Sequence, residues 1–487
     1  MSILTFLFLL INCFSFFGQI HFYKTYSGNG YDKGEGIVQL EDSSYMITGS
    51  SSSWSGNSDA YLLHLDSLGN FLWSRNYGGQ ESDVGKRVLY NSDLGFYVAG
   101  YSNSYNSTGD FDAYLLKTDV NGNDTWHKTY GKPTNWERIN DAVMTLDSGI
   151  IMVGETVNMS NDNSDLFIVR TTKDGDTLWT KTIGGIGKDI ANSVIKLNDN
   201  FLIGGQYYIA DSNLVKGFVL EMNDFGDVLR FDTISDKSGN YFVSDLTLGV
   251  GKYYVIGYRE SAGVYNDYYG VYDLTGGLLN HYTFVYPEYS TILSQAAYIS
   301  ASDRVAIGYQ TINPGTNQDA FDLSIAYFLP QNLFYIAPIW SAAISNFGLD
   351  QLNDLIQTSD GAFVTVGFNS IMDDGITQPN GGCNIFVAKV GPDNVFPNAF
   401  GSILNQLVGI KDSPKINSIQ LFPNPFNETL AIISATNKPM DAVMINQIGQ
   451  TIWKGEVTGK TQLDTSNYPS GFYFLQIESE NYKVIKQ

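Results

Sequence analysis

A segment that begins with aspartate and continues with apolar residues recurs along the N-terminal part of the chain at a spacing of 53 residues. A tryptophan follows each of three clear copies at the same spacing. The aspartates are Asp59, Asp112 and Asp165, and the tryptophans are Trp73, Trp126 and Trp179. A repeat of this length is typical of arrays in which each copy forms one supersecondary unit. The chain must therefore fold as a series of similar units.

A second landmark brings the number of copies to seven. An apolar run that ends in glycine precedes each aspartate-led segment or its degraded equivalent. These glycines are Gly49, Gly100, Gly154, Gly205, Gly257, Gly308 and Gly367. The later, weaker copies of the aspartate-led segment begin at Gly217, Tyr269, Asp322 and Asn384.

Each repeat contains four strand-like runs, which in the second copy span about 85–91, 96–104, 112–119 and 124–131. The last two are separated by Asn121-Gly122, a strong hairpin signal. The third run is apolar on both faces, as expected when a sheet is packed between two others. Four antiparallel strands at this period predict the blades of a β-propeller. A linear solenoid is the alternative, although short β-solenoid coils usually have shorter periods.

The register also predicts how the ring closes. Phe22–Tyr26 matches the tryptophan-led fourth strand, although no repeat precedes it, and the seventh copy lacks that strand. We expect Phe22–Tyr26 to pair beside Phe386–Lys389 and complete the last blade, which would leave no open edge. The three tryptophans are expected to be buried between adjacent blades.

After about residue 400 the repeat gives way to a polar segment and then to a different set of motifs. Their residues are Pro423, Asn424, Pro425, Gly449, Gly471, Tyr473 and Lys486. Short strands with Pro and Gly turns predict a small β-sandwich. The expected fold is thus all-β, a seven-bladed β-propeller followed by a small C-terminal β-sandwich domain.

These motifs resemble those of known bacterial proteins. Residues 21–396 resemble the propeller repeats of exported bacterial proteins, and the C-terminal motifs closely resemble the type A sorting domain of type IX secretion cargo. The resemblance implies the type IX machinery as a partner, and a secreted or outer-membrane cell-surface location. The apolar run of residues 3–17 predicts a signal peptide, with a lipoprotein leader ending at Cys13 as the alternative. The expected domains are 1–19 signal peptide, 20–400 propeller, 401–415 linker and 416–487 sorting domain.

Composition excludes several classes of partner. With 28 basic and 50 acidic residues the net charge is −22, which disfavours nucleic acid and anionic membrane surfaces. Beyond the leader, no segment is apolar enough to span a membrane. The 4 histidines form no metal-binding cluster, and nothing beside Cys383 supplies a base for a catalytic thiol. His64 occupies the position of Lys117 and Arg170, which suggests a tolerant surface or rim position. We predict no catalytic residue, no cofactor and no metal site.

The repeated acidic residues allow two interpretations. Asp32, Asp83 and Asp189 recur just before the first strand of their repeats, and Asp350 or Asp354 is the candidate equivalent in the seventh. They form either a carboxylate ring that binds Ca²⁺ or a sugar, or turns in which each carboxylate accepts nearby N–H groups. Recurrence throughout the array favours turns. The segment 119–123 partly resembles a calcium loop and is better interpreted as a hairpin turn.

The sequence favours a non-catalytic secreted protein for binding or adhesion, with a carbohydrate or protein ligand that it does not identify. Propeller faces are built from loops, which here are rich in Tyr, Asn and Ser. A propeller enzyme acting on polysaccharide, a lyase or glycosidase, is the second hypothesis and would need catalytic groups that converge on one face. A structural surface component is the third.

Overall fold

All regular structure in the described part of the chain is β-strand. The computed structural model describes residues 20–28, 30–53, 57–106, 108–235, 239–284, 290–299, 304–312, 322–328, 340–342, 350–369, 383–390, 419–422, 428–434, 439–446, 451–469, 471–477 and 480–486. The chain divides into two compact units, Met1–Ile403 and Leu404–Gln487. The expected signal peptide and Cys13 lie outside the described residues.

Six four-stranded antiparallel sheets follow one another in the first unit, each with its strands in chain order. Sheet one contains β2 (Asp32–Gln39), β3 (Tyr45–Ser51), β4 (Asp59–Leu65) and β5 (Phe71–Tyr77). Sheet two contains β6 (Asp83–Asn91), β7 (Gly95–Ser102), β8 (Asp112–Thr118) and β9 (Asp124–Tyr130). Sheet three contains β10 (Asn135–Met144), β11 (Ile150–Asn158), β12 (Ser164–Thr171) and β13 (Thr177–Ile183).

The next three sheets have the same order. Sheet four contains β14 (Ile190–Leu197), β15 (Asn200–Ile209), β16 (Leu214–Asn223) and β17 (Val228–Ile234). Sheet five contains β18 (Asn240–Gly249), β19 (Lys252–Ser261), β20 (Val264–Asp273) and β21 (Leu278–Phe284). Sheet six contains β22 (Ser290–Ile299), β23 (Arg304–Ile312), β24 (Asp322–Phe328) and β25 (Trp340–Ala342).

Sheet seven is completed by the first strand of the chain. It contains β26 (Asp350–Gln357), β27 (Phe363–Asn369), β28 (Asn384–Val390) and β1 (Ile20–Tyr26), which pairs with β28. Phe22 lies opposite Lys389 and Tyr26 opposite Ile385, so the predicted pairing is confirmed. Each sheet packs against the next, and sheet seven packs against sheet one.

Outside sheet six, the third strands are buried on both faces because each sheet lies between two others. In β4, Tyr61, Leu63 and Leu65 pack in a cluster with residues of sheet seven. The alternate residues Ala60 and Leu62 pack in a cluster with residues of sheet two. The continuous apolar character of this strand therefore follows from its two-sided packing.

The outer strands contact the hairpin turn of the next sheet. The indole of Trp73 lies against Gly122, where a Cβ atom would come 2.5 Å from the ring, and Gly122 has φ 75°. The Tyr77 hydroxyl donates to the Gly122 carbonyl at 2.5 Å, as Tyr130 does to Gly175 at 2.7 Å. The indoles are half-buried. The expected burial between sheets is therefore partial, because the turn covers only part of each ring.

The position shared by His64, Lys117 and Arg170 is not a tolerant rim position. Only 7% of Lys117 and 1% of Arg170 is exposed. Arg170 pairs with Asp147 at 2.7 Å and with Asp224 at 2.8 Å. The expectation was wrong because the turns that cover this position come from other parts of the chain.

The second unit contains two sheets around one core. β30 (Thr429–Ser434) lies between β29 (Ile419–Phe422) and β33 (Lys460–Asp464). The other sheet has the order β32 (Thr451–Val457), β31 (Met440–Asn446), β34 (Gly471–Ile477) and β35 (Glu480–Lys486). Both sheets contribute side chains to the same hydrophobic cluster.

The predicted sorting residues are only partly described. Tyr473 is buried, and its hydroxyl donates to the Pro469 carbonyl at 2.6 Å. Gly471 begins β34 and Lys486 ends β35. The remaining ones, Pro423, Asn424, Pro425 and Gly449, lie outside the described residues.

Candidate functional site

The first strands of the sheets share one irregularity. Each carries an extra residue that bulges from the pairing with the second strand, and bulges re-aim side chains. The bulges lie between Gly34 and Gly36, Gly85 and Arg87, Ile139 and Asp141, Ala191 and Ser193, Val243 and Asp245, Leu293 and Gln295, and Leu352 and Asp354. These positions recur at one level of the array.

The bulges line a polar cavity of about 510 Å³, which we call the axial cavity. Its walls come from the first strands of sheets one to five and seven, with Gln206 and Tyr258 from second strands. Among the described residues, four carboxylates and two cations line it. They are Glu35, Asp141, Asp245 and Asp354, with Lys86 and Arg87.

Arg87 joins two carboxylates across the cavity. Its Nη1 lies 2.8 Å from Asp354 Oδ2 and its Nε 3.2 Å from Asp141 Oδ1. Electrostatic attraction to Asp354, and more weakly to Asp141, raises the pKa of Arg87. This attraction outweighs burial, which acts to lower the pKa. Burial raises the pKa of Asp141 despite the nearby guanidinium.

Both carboxylates are also bonded to backbone N–H groups. Asp354 accepts from Ile37 at 2.9 Å and from Leu355 at 2.9 Å. Asp141 accepts in the same way from Val194 and Ala142, each at 2.8 Å. Ile37 and Val194 belong to the following sheet in each case, so these carboxylates hold neighbouring first strands together.

The bulge residues add a second set of bonds between sheets. Asn140, Asn192 and Asn353 each donate to a carbonyl of the following sheet, at 2.9, 2.8 and 2.7 Å. Between sheets one and two, Lys86 pairs with Glu35 at 2.5 Å. The residues at the bulges thus hold neighbouring sheets together through polar contacts and also line the axial cavity.

One side of the cavity combines an acid with aromatic rings. Asp245 Oδ1 accepts from the Ser193 hydroxyl at 2.7 Å. Phe242 and Tyr258 stack with their ring centroids 4.6 Å apart. Burial raises the pKa of Tyr258 to about 12, so its hydroxyl keeps its proton at neutral pH and can donate a hydrogen bond.

The repeated aspartates before the first strands lie elsewhere and bind turns. Gly28 donates to Asp32 at 2.7 Å, and Gly79 donates to Asp83 at 2.9 Å. Asp189 accepts from Gly185 in the same way at 3.0 Å. These bonds fit the turn-building interpretation.

In the seventh sheet, Asp350 and not Asp354 is the equivalent of these aspartates. Asp350 lies opposite Asn369 as Asp32 lies opposite Ser51. Asp354 follows the bulge and lines the axial cavity. The segment 119–123 is a hairpin turn in which Asp119 accepts from the N–H groups of Asn121 and Asn123, each at 2.8 Å.

Other candidate groups offer little chemistry in the described part of the chain. Cys383 is buried, and burial raises the pKa of its thiol. Among the described residues, no group of three or more His, Cys, Asp or Glu side chains is placed to hold a metal ion. Within those same residues, no helix has the length and apolarity needed to cross a membrane.

Sequence reasoning missed the axial residues Arg87, Asp141 and Asp245. A signal was available in the pairing of the first and second strands. One residue of the first strand lies opposite the landmark glycine of the second strand, and a polar residue recurs two positions further along the first strand. That register is visible only when the first strands are aligned with their bulges.

Residues 420–487 match the family model of the secretion system C-terminal sorting domain. No curated protein matches the chain. Among solved structures, the chain is similar to the β-propeller domain of the Trilobed protease from Pyrococcus furiosus, with 10% identity, TM-score 0.42, and coverage of 80% of this chain and 99% of that one. It is also similar to Sqt1 of Chaetomium thermophilum, with 10% identity, TM-score 0.39 and coverage of 74% and 95%. A thermostable family-43 glycoside hydrolase gives 10% identity, TM-score 0.31 and coverage of 54% and 97%.

The described part of the chain is all-β with propeller-type four-stranded sheets, and residues 420–487 form a sorting domain. The chain is a type IX cargo protein, exported to the cell surface or the extracellular space.

Proposed function

We propose that this exported protein is a non-catalytic binding module whose axial cavity takes a carbohydrate. Its seven described four-stranded sheets form the seven blades of a closed propeller over residues 20–400. The second unit is a small β-sandwich that contacts the type IX machinery, with 401–415 as the linker. In this account residues 1–19 are a signal peptide.

The wall formed by Asp245, Phe242 and Tyr258 supports a carbohydrate ligand. A sugar presents hydroxyl groups to carboxylates and amides and an apolar face to an aromatic ring, and this wall offers both. The volume of about 510 Å³ falls in the usual range for small-ligand sites. The excess of carboxylates disfavours an acidic ligand.

The state of the carboxylates argues against a glycosidase. Such an enzyme needs one carboxyl group free to donate a proton and a second free to attack or to activate water. Asp141 and Asp354 already accept two backbone N–H groups each, and Arg87 lies between them. They are better suited to holding sheets together than to proton transfer.

Binding to an array of soluble oligosaccharides tests the proposal. The best ligand is then titrated by calorimetry against wild type, Tyr258→Ala and Asp245→Asn. We expect each variant to weaken binding at least tenfold, about 1.4 kcal/mol. The matched control is Tyr31→Ala, a change at an exposed tyrosine outside the cavity lining. It should bind as wild type does. An array without a ligand, or binding that survives both cavity variants, would contradict the proposal.

A further inference from the structure

A pair of carboxylates lies at the joint between sheets one and two. Asp59 begins the third strand of sheet one and Asp83 begins the first strand of sheet two. Gly78, which follows the outer strand of sheet one, lies against both. A Cβ atom on Gly78 would come 2.9 Å from Asp59 Oδ1 and closer still to Asp83 Oδ2. The glycine is therefore required for the two carboxylates to meet.

The same arrangement recurs at the next two joints between sheets. Asp112 and Glu137 meet at Gly131, and Asp165 and Asp189 meet at Gly184. The acidic side chain differs in length at the second joint, yet each joint keeps two carboxylates and one glycine. We call these three contacts the carboxylate pairs.

The pair of Asp59 and Asp83 is buried and incompletely bonded. Asp83 is fully buried, and only 7% of Asp59 is exposed. Asp59 Oδ1, the oxygen that faces Gly78, has no hydrogen-bond partner among the described residues, and neither does Asp165 Oδ1 at its own joint. A buried carboxylate without a partner is costly. The pair of Asp59 and Asp83 therefore lacks a positive partner among the described residues.

The opposing carboxylate accepts hydrogen bonds that favour its ionised form. Asp83 Oδ2 accepts from the Gly79 N–H at 2.9 Å and from the Ser104 hydroxyl at 2.7 Å. Asp189 Oδ2 accepts from the Gly185 N–H at 3.0 Å. Donors of this kind favour the ionised form, although burial, and repulsion from Asp59, raise the pKa of Asp83.

Two other joints lack both the carboxylate pair and the glycine. Between sheets seven and one, Asn384 and Ser27 replace Asp59 and Gly78, since Ile385 lies opposite Tyr26 as Ala60 lies opposite Tyr77. The joint between sheets four and five has neither acid. There the register places Lys216, Ser235 and Tyr241 at the positions equivalent to Asp59, Gly78 and Asp83. At these five joints, the glycine and the complete carboxylate pair thus occur together.

We propose that each carboxylate pair binds one divalent cation of the calcium class, which bridges two neighbouring sheets. Calcium prefers hard oxygen ligands and binds extracellular modules with dissociation constants of about 10⁻⁴–10⁻³ M. Two carboxylates neutralise its charge, and main-chain or water oxygens complete the coordination. The inference relies on export of the chain and is independent of the ligand of the axial cavity.

Terbium luminescence tests this directly on the full exported chain after treatment with a chelator. Tyr77 directly precedes Gly78, so excitation of tyrosine should sensitise a bound Tb³⁺ ion. We expect three Tb³⁺ ions per chain, displaced by Ca²⁺ but not by Mg²⁺, which is smaller and dehydrates reluctantly. Saturating Ca²⁺ should also raise Tm by about 3 °C through its preference for the folded state.

Substitutions assign the sites. Asp59→Asn, Asp112→Asn and Asp165→Asn should each remove one ion, and the triple variant should bind none. Asparagine already occupies this position as Asn384, so the variants should fold, which circular dichroism checks. The matched control is Asp32→Asn at the closing joint, which should keep all three ions.

Three results would overturn the proposal. One is wild-type protein that binds neither Tb³⁺ nor Ca²⁺. A second is a triple variant that retains full binding. If Asp59→Asn raises Tm equally with Ca²⁺ and with chelator, the pair shares a proton instead, and the cation assignment is wrong.

Discussion

Arg87 Nη1 lies 2.8 Å from Asp354 Oδ2, although the two residues belong to sheets two and seven and sheet one lies between them. Gly36 in sheet one provides the room. A Cβ atom there would come 3.3 Å from Arg87 Cα and 2.8 Å from the Lys86 carbonyl oxygen. The ion pair therefore connects the sheets on either side of the first one.

Replacing Arg87 with methionine should destabilise the propeller by about 2–3 kcal/mol. The change leaves Asp354 and Asp141 in the axial cavity without their counter-charge, and removing one partner of a fully buried pair costs about 3–5 kcal/mol. The side chain of Arg87 is 32% exposed, which reduces the effect. Urea unfolding measures it. The matched control, Arg75→Met on an exposed part of β5, should change stability by less than about 0.5 kcal/mol. Equal effects of both changes would count against the role of Arg87.

The repeat predicted the strands because its landmarks are local. Asp112 and Gly100 mark the third and second strands of one sheet at a fixed spacing, and both strands form where the sequence placed them. Contacts between sheets that are far apart in the sequence could not be predicted in this way. Arg87 and Asp354 are brought together only when the seventh sheet returns to the first, and no short-range pattern records that contact.

The burial of cationic side chains could not be predicted from the sequence either. Lys117 sits in a strand whose side chains could have pointed to solvent, and the turn carbonyl of Leu94 covers it. The proximity of Asp59 to Asp83 left a clearer signal in the sequence than the burial of Lys117 did. A glycine follows each outer strand at the joints that carry a carboxylate pair. Recognising it requires knowing that consecutive sheets pack face to face.

Two buried lysines should give opposite pH dependences of stability. Burial lowers the pKa of Lys117 to about 8, from an ordinary value of 10.5. Between these values the unfolded chain holds a proton that the folded chain has lost, so the free energy of unfolding rises with pH. Lys117→Met should remove that rise and increase stability at pH 7.

Lys389 provides the contrast. Burial acts to lower its pKa, but the hydrogen bond to Asp360, 2.7 Å away, and the interaction with the nearby Tyr45 hydroxyl outweigh it and raise the pKa above the ordinary value. Its stabilising contribution is present at neutral pH and is lost as pH rises through the folded pKa. Lys389→Met should therefore reduce stability at pH 7. Urea unfolding from pH 7 to 11 measures both variants, and slopes of the same sign would refute the assignment.

Trp126→Ala should cost about 3 kcal/mol, at the low end for a large aromatic because the indole is only half-buried. The loss arises because the ring lies against the Gly175 turn of the next sheet. Tyr130→Phe keeps its ring and loses one hydrogen bond to the Gly175 carbonyl, which should cost about 1 kcal/mol. Thermal unfolding compares the two. A Trp126→Ala protein of unchanged stability that had lost ligand binding would make the tryptophans a sugar platform instead.

The measurement that tests the whole account most directly is the fate of a chain truncated after residue 415, expressed in a bacterium with the type IX route. The second unit has its own core, and the chain divides near this point, so the remaining part should still fold. We predict a folded propeller that accumulates in the periplasm, with β-sheet circular dichroism and resistance to protease. Residues 416–487 behind a signal peptide should carry a reporter protein to the surface or the medium. A truncated chain that reaches the cell surface at wild-type levels would contradict the account.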